Sequence, residues 1–258
     1  MKEQVYTIPL MDAFRSGDEC PFCFIERALE QHAINFVLGS GASYMEEDIR
    51  EQTDAAGFCR EHYKKLYDYG NRLGMSLILS THMKKKNKEL NELMDQFAPG
   101  KSGMLGMFKK VKVNTEQPAK TSIGQWVQAQ ESSCYVCDYS KGSYARYLDT
   151  FFELYRRSDE FKKLFENCKG FCLPHFGDVT EAADVVLTDK EKTEFFEILF
   201  RLMRNNMARV HEDVLWFVDK FDYRNINADW KNSKDAVPRT MQKMAGGHPA
   251  DPPFEQDK

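Results

Sequence analysis

The 258-residue chain contains no apolar run of about 18 residues or more, the length that crosses a membrane as a helix. Its N-terminal segment also lacks an apolar core of signal-peptide length, so we expect a cytoplasmic protein. The net charge of −4 argues against a protein that coats nucleic acid by charge alone. Signatures of a serine–histidine–aspartate triad, of paired catalytic carboxylates and of a phosphate loop are missing too. The sequence therefore does not predict an enzyme, although that role stays open.

The period-two alternation of half-buried strands is absent, whereas apolar residues recur every three or four positions in several segments. The longest such series runs from Phe196 to Phe221, behind the capping-box pattern of Thr188 and Glu191. A shorter series consists of Leu66, Leu73 and Leu77. The sequence therefore predicts an all-α fold with a long C-terminal helix.

Six of the seven cysteines belong to a motif that occurs twice. Each copy consists of a Cys-x-x-Cys pair and a Gly-Phe-Cys-x-x-His segment, separated by 33 residues in the first copy and by 32 in the second. The candidate ligands of the first copy are Cys20, Cys23, Cys59 and His62. Those of the second copy are Cys134, Cys137, Cys172 and His175. This agreement in spacing indicates an internal repeat of two helical units.

Three thiolates and one imidazole form the soft tetrahedral set that Zn²⁺ prefers, and such a set leaves no position open for a substrate. We therefore predict two structural zinc ions per chain. The two-residue spacings place both ligands of a pair in a first helical turn, where Pro21 is well suited, while Gly57 and Gly170 suit the preceding bend. Ligation within each copy is the simplest arrangement because each copy is complete, but ligation across the copies stays open.

Other interpretations of the cysteine pairs explain less. A glutaredoxin-like dithiol needs a βαβ surrounding that the helical pattern does not provide. Covalent haem needs a histidine directly after a pair, where Phe24 and Asp138 stand. An iron–sulfur cluster held by three cysteines and one histidine is less usual than all-cysteine ligation. Buried inert thiols would explain neither the repetition nor the paired histidines, although the seventh cysteine, Cys168, is predicted to be a free thiol.

The chain is expected to divide into four consecutive segments. They are a first helical unit (1–98), a flexible basic linker (99–122), a second unit with the long helix (123–221), and an irregular arm with a disordered tail (222–258). Between positions 84 and 120, nine lysines stand against four acidic residues. Because this stretch has no arginine and only two aromatic residues, it gives no strong signal for nucleic-acid binding.

The paired motifs, together with the Lys-Phe-Asp-Tyr-Arg-Asn segment at 220–225, resemble an uncharacterised bacterial family described as a domain of unknown function. The resemblance extends from about Thr7 to Arg239, and it implies no established activity, substrate or catalytic residue. Members are sometimes labelled as substrate-binding proteins of ABC transporters. This sequence departs from that label because it shows neither an export signal nor an α/β pattern.

From the residues themselves we predict a zinc-binding adaptor that interacts with a partner protein, and self-association stays open. A first alternative is a thiol-based regulator that responds to metal or to redox conditions. A second is an enzyme that uses an unrecognised pocket between the two repeats.

Overall fold

A computed structural model of the chain describes residues 2–99, 118–252 and 254. These residues form eleven α-helices and no strand, which confirms the all-α fold. The helices are α1 (Lys2–Arg15), α2 (Pro21–Leu38), α3 (Glu47–Ala56), α4 (Arg60–Tyr69), α5 (Arg72–Asp95), α6 (Ser122–Glu131), α7 (Tyr135–Arg157), α8 (Asp159–Asn167), α9 (Leu173–Val186), α10 (Asp189–Asp219) and α11 (Ala236–Ala245). None of them is long and apolar enough to span a membrane. Most of the predicted linker, residues 100–117, lies outside the described part of the chain.

The chain divides into two compact units, each made of segments that are far apart in the sequence. Unit 1 comprises Met1–Gln31 and Ser140–Pro252, and unit 2 comprises His32–Tyr139 and Pro253–Lys258. The compact units thus differ from the consecutive segments expected from the sequence. Each unit instead contains the Cys-x-x-Cys pair of one copy and the Gly-Phe-Cys-x-x-His segment of the other copy.

Phenylalanine dominates the core of unit 1. Phe151, on α7, is fully buried, and its ring lies edge-on to those of Phe161 and Phe165 at centroid distances of 5.5 and 5.4 Å. Such edge-to-face contacts add to the free energy gained by burying the rings. The other buried phenylalanines of this core are Phe14, Phe22, Phe152, Phe171 and Phe195.

Replacing Phe151 by alanine is expected to lower the free energy of unfolding by about 3–5 kcal/mol, because the cavity forms among closely packed rings. Denaturant unfolding followed by circular dichroism measures this change. Phe221→Ala is the matched control: this ring is 76% exposed, and its loss should cost about 0.5 kcal/mol or less. Equal losses in the two variants would contradict the central position of Phe151.

Local sequence determines where the helices of unit 2 begin and end. Gly70, with φ of 94°, ends α4, and the Asn71 side chain accepts a hydrogen bond from the Gly74 N–H to start α5. The series Leu66, Leu73 and Leu77 is therefore divided between two helices, and Leu73 is 68% exposed.

The long helix α10 begins behind the predicted capping box, in which the Thr188 N–H donates to Glu191 at 2.8 Å. It ends at Asp219, so Phe221 lies beyond it. Its buried face partly departs from the predicted series and is formed by Phe195, Ile198, Leu199, Leu202, Met203 and Val210.

The segment 222–258, expected to be irregular, contains the ten-residue helix α11. Pro238 lies in its first turn, where the missing N–H is tolerated, and Gly246, with φ of 78°, follows its last residue. Within unit 1, α11 packs on α9 and α10. The expectation of an irregular arm was wrong there because the buried face of this helix consists mostly of polar side chains, Arg239, Gln242 and Lys243, which a search for buried apolar residues does not find.

Candidate metal sites

The structure brings the eight predicted ligands together in two groups of four, and within each group the donor atoms lie within 4.8 Å of one another. Site A, in unit 1, consists of Cys20, Cys23, Cys172 and His175. Site B, in unit 2, consists of Cys59, His62, Cys134 and Cys137. The preferred arrangement within each copy is wrong, because each Cys-x-x-Cys pair meets the Cys-x-x-His pair of the other copy.

Aromatic packing explains why the pairs combine in this way. In unit 1, Phe22 lies between the two cysteines of its pair and stacks on Phe171, the residue before Cys172, at a centroid distance of 5.7 Å. In unit 2, Tyr135 lies between the cysteines of its pair, and its ring is 6.4 Å from that of Phe58, the residue before Cys59. Each Cys-x-x-Cys pair is therefore held by core contacts against the Gly-Phe-Cys segment of the other copy.

Every ligand pair sits at the start of a helix, as the spacing predicted. The first cysteine of each pair immediately precedes the helix, and the second ligand lies in its first turn, at the starts of α2, α4, α7 and α9. The Tyr63 N–H donates to the Cys59 carbonyl at 2.9 Å, and the Phe176 N–H donates to the Cys172 carbonyl at 2.8 Å. Unpaired N–H groups and the helix dipole at such positions favour thiolates.

Two glycines provide the bends that lead into the Cys-x-x-His pairs. Gly57 has φ of 61° and Gly170 has φ of 73°, a region that other residues rarely adopt. Space is also limited at Gly57, where an added Cβ would lie 2.8 Å from the His82 ring. A side chain at either position would displace the cysteine that follows two residues later.

The donor atoms of site A have the spacing of a tetrahedral zinc site. The three cysteine sulfurs lie 3.1–3.6 Å from Nδ1 of His175. The sulfurs of Cys23 and Cys172 are 3.7 Å apart. Bonds of about 2.3 Å to sulfur and about 2.0–2.1 Å to nitrogen give tetrahedron edges of about 3.8 and 3.6 Å. A single ion therefore fits this group with only small movements of the side chains.

The second nitrogen of His175 also has a partner. Its Nε2 lies 3.2 Å from the Glu26 carboxylate, one turn along α2 from Cys23. A carboxylate at this nitrogen holds the ring in one orientation and leaves Nδ1 directed at the three sulfurs, which is the common arrangement around metal-binding histidines. His175 itself is only 3% exposed. Glu26 thus belongs to the site, although its spacing from Cys23 gave no signal in the sequence.

Site B has the same composition and similar distances. Its cysteine sulfurs lie 3.2–3.4 Å from Nδ1 of His62, and those of Cys59 and Cys137 are 3.9 Å apart. The Tyr135 N–H donates to the Gly57 carbonyl at 3.0 Å. This hydrogen bond links the two arms of the site, by which we mean its Cys-x-x-Cys segment and its Gly-Phe-Cys-x-x-His segment. Cys59 and Cys137 are half-buried, whereas Cys134 is buried.

The four donors of each group influence one another's ionisation. Burial raises the pKa of the Cys134 thiol, but the hydrogen bond with His62 outweighs it and lowers this pKa to about 6. Burial and the neighbouring thiols raise the pKa of Cys137 to about 12. In site A, burial lowers the pKa of His175, but its contacts with three cysteines and with Glu26 raise it overall. A divalent cation bound at either group would have to displace the protons that these donors hold, so its affinity would fall as the pH is lowered.

A buried lysine joins the two arms of site A. Lys243, on α11, is 1% exposed, and its ammonium group donates to the carbonyls of Glu19 and Lys169, the latter at 2.6 Å. These carbonyls lie just before Cys20 and just before the Gly-Phe-Cys segment. In site B the backbone N–H of Tyr135 makes the corresponding link. In site A the residue at the same place in the motif is Pro21, which has no N–H, so the Lys243 side chain makes the link instead.

The Lys243 ammonium also lies 3.4 Å from the Glu19 carboxylate, which is 3% exposed. Burial raises the pKa of Glu19, but Arg209 and Lys243 outweigh that effect and lower it. The sequence missed both residues: Lys243 falls in the segment expected to be irregular. The helical spacing of Ala236–Ala245 before two glycines was the signal that could have located it.

Lys243→Met is expected to lower the free energy of unfolding by about 1–3 kcal/mol, because it leaves the carbonyls of Glu19 and Lys169 without their donor. The Glu19 carboxylate keeps its ion pair with Arg209. The substitution should also speed metal loss from site A but not from site B, as measured by chelator competition. Lys163→Met is the matched control, since Lys163 is exposed, and its effect should stay within about 0.5 kcal/mol. Equal acceleration at both sites would contradict the link between Lys243 and site A.

The residues after α11 cover the sulfurs of site A. The Gly247 N–H donates to the sulfur of Cys23 at 3.4 Å. A Cβ added at Gly246 would lie 3.7 Å from the sulfur of Cys172 and 4.0 Å from that of Cys23. The chain therefore passes close to two of the three thiols. Cys168 is in no disulfide and accepts the Gly170 N–H at 3.3 Å.

Fold and site together define an all-α chain with two groups of three cysteines and one histidine that could each hold a metal ion. The chain belongs to a family of unknown function (DUF6062), whose sequence model matches residues 1–251. This confirms the resemblance drawn from the paired motifs.

An "Uncharacterized 23.9 kDa protein in xynA 3'region" of Caldicellulosiruptor sp. (strain Rt8B.4) is similar to this chain. It is 24% identical over 216 residues, which cover 83% of this chain and 87% of that protein. No solved structure matches the chain.

Proposed function

We propose that this protein is a helical scaffold held together by two structural zinc ions, one in each compact unit. The observation that carries the proposal is the way in which each donor group forms. Two helix starts, more than 70 residues apart in the sequence, converge so that three sulfurs and one nitrogen have the spacing of a single tetrahedral ion. Four protein ligands would leave the ion no open position, which favours a structural over a catalytic role.

Zinc is favoured over an iron–sulfur cluster by the distances between donors. A cluster distributes its ligands over two or more iron atoms, so some of its four donors must lie farther apart than the 4.8 Å within which all four donors are found here. The mixed sulfur and nitrogen set is also typical of zinc. Two ions of this kind can together add a binding free energy comparable with the whole stability of a domain.

Metal analysis of the freshly purified protein, combined with thiol counting, tests this proposal. We expect two zinc ions per chain and six thiols that are slow to react until the protein is denatured. Iron with a visible absorption band would replace zinc by a cluster or a mononuclear iron site. A metal-free protein in which every thiol reacts readily would overturn the proposal.

We further propose that the scaffold acts as an adaptor in the cytosol, where cysteines stay reduced. All seven cysteines are free of disulfides, which supports a reducing compartment. Exposed apolar side chains next to the end of α10 support contact with another protein, since Val218, Phe221 and Tyr223 are 62%, 76% and 83% exposed. Sedimentation velocity tests whether the partner is a second copy of the chain: a concentration-dependent dimer indicates self-association, and a monomer at all concentrations rules it out.

A further inference from the structure

The two sites contain the same four ligands but differ in how far their sulfurs are covered. In site A, Cys20 and Cys172 are fully buried and Cys23 is 5% exposed. In site B, Cys59 and Cys137 are both half-buried, and their sulfurs are 3.9 Å apart. Two neighbouring cysteines of site B are therefore partly exposed to solvent, whereas the three cysteines of site A are buried.

Site A has three further protections of its own. The Gly247 N–H donates to the Cys23 sulfur, which lowers the electron density available for attack. Gly246 occupies the space next to the sulfurs of Cys23 and Cys172. The ammonium group of Lys243 holds the two arms of the site together from the buried side. A reagent must displace the segment after α11 before it reaches these thiols.

From this difference we infer that site B is a modification site for hydroperoxides, and that its oxidation releases the ion of unit 2 while site A keeps its own. The inference rests on the proposed function, because it requires that both sites hold an ion. It names Cys59 and Cys137 as the reacting pair, with a disulfide between them as the product.

The chemistry of the step balances without a further reactant. One thiolate attacks an oxygen of the hydroperoxide; the O–O bond breaks, a sulfenic acid forms, and the alkoxide leaves and takes a proton from water. The second thiolate then attacks the sulfenic sulfur, so that the S–S bond forms and hydroxide leaves. The two sulfurs lose two electrons, which reduce the peroxide. Cys59 and Cys137 would then no longer be available as ligands, so an ion held by site B would keep only Cys134 and His62 and could be taken up by a chelator.

The geometry allows this product. The sulfurs of Cys59 and Cys137 must approach by under about 2 Å to reach the disulfide length of about 2.05 Å. The two residues lie at the starts of different helices, α4 and α7, so that closing the bond changes the first turns rather than the helix bodies. The disulfide would then keep the two arms joined after the ion has left.

Treating the two-zinc holoprotein with hydrogen peroxide, in the presence of a chromogenic zinc chelator, tests the inference. We expect one equivalent of zinc to appear at least about tenfold faster than the second, because thiol oxidation follows access. Mass spectrometry after the first equivalent should find the disulfide between Cys59 and Cys137, with Cys20, Cys23 and Cys172 still reduced.

The denatured protein provides the control, since all six thiols should then react at similar rates if the fold alone causes the difference. Similar release of both ions from the native protein, or oxidation of Cys23 or Cys172 first, would overturn the inference. Metal analysis before the peroxide is added keeps the two proposals apart. Fewer than two ions at that stage counts against the proposed function, whereas two ions released together count only against the reactivity of site B.

Discussion

Removing the two proposed zinc ions with a chelator is expected to unfold unit 2 and to lower the thermal stability of unit 1. Structural zinc contributes about 10–16 kcal/mol per site in small zinc domains, against a total stability of about 5–15 kcal/mol for an ordinary domain. Unit 2 should respond more strongly because, among the residues that the structure describes, its apolar core is smaller than the phenylalanine core of unit 1. Hydrogen exchange read by mass spectrometry resolves the two units, and circular dichroism follows the loss of helix.

Adding zinc back to the chelated protein should restore both the exchange protection and the helical signal. A sample that receives the chelator already saturated with zinc is the control for effects of the chelator itself. Hydrogen exchange in helix α5 shows whether the loss of metal affects the whole of unit 2, because α5 packs on α3 and α4 but contributes no ligand. If the metal-free protein kept the same melting temperature and the same exchange pattern, the ions would not be structural.

The starts of the ligand-bearing helices could be predicted from the sequence for physical reasons. A ligand pair with two intervening residues fits a first helical turn, and a glycine before each Cys-x-x-His pair allows the bend that points both side chains at one place. The structure places Gly57 and Gly170 at positive φ, as that reasoning requires. The capping box of Thr188 and Glu191 was predictable in the same way, since it depends on residues three apart.

The choice of partner for each pair could not be predicted from the same signals. All four pairs offer similar ligands at the same spacing, so local chemistry favours no combination over another. The choice depends on contacts between distant segments, such as the stacking of Phe22 on Phe171 and the hydrogen bond from Tyr135 to Gly57. Periodicity likewise could not show that a Gly–Asn sequence divides Leu66 and Leu73 between two helices.

Two double variants are expected to give opposite metal contents, and this difference tests the pairing across the copies. In Cys20→Ala/Cys172→Ala both changes fall in site A, so one zinc ion should remain in site B. In Cys20→Ala/Cys59→Ala one change falls in each site, so neither ion should be held firmly. Ligation within the copies predicts the reverse, because Cys20 and Cys59 would then share an ion. Metal analysis after dialysis against a zinc buffer measures the result.

The thermodynamic coupling of the same variants provides an independent reading. After the first ligand of a site has been lost, removal of a second should lower the free energy of unfolding only a little further. The losses caused by Cys20→Ala and by Cys172→Ala should therefore be far from additive. Cys20→Ala and Cys59→Ala act on different ions in different compact units, and their costs should sum more closely. Cys168→Ala is the matched control, since this cysteine belongs to neither group and its loss should leave both ions bound. Coupling between Cys20 and Cys59, with none between Cys20 and Cys172, would show instead that each copy of the motif holds its own ion.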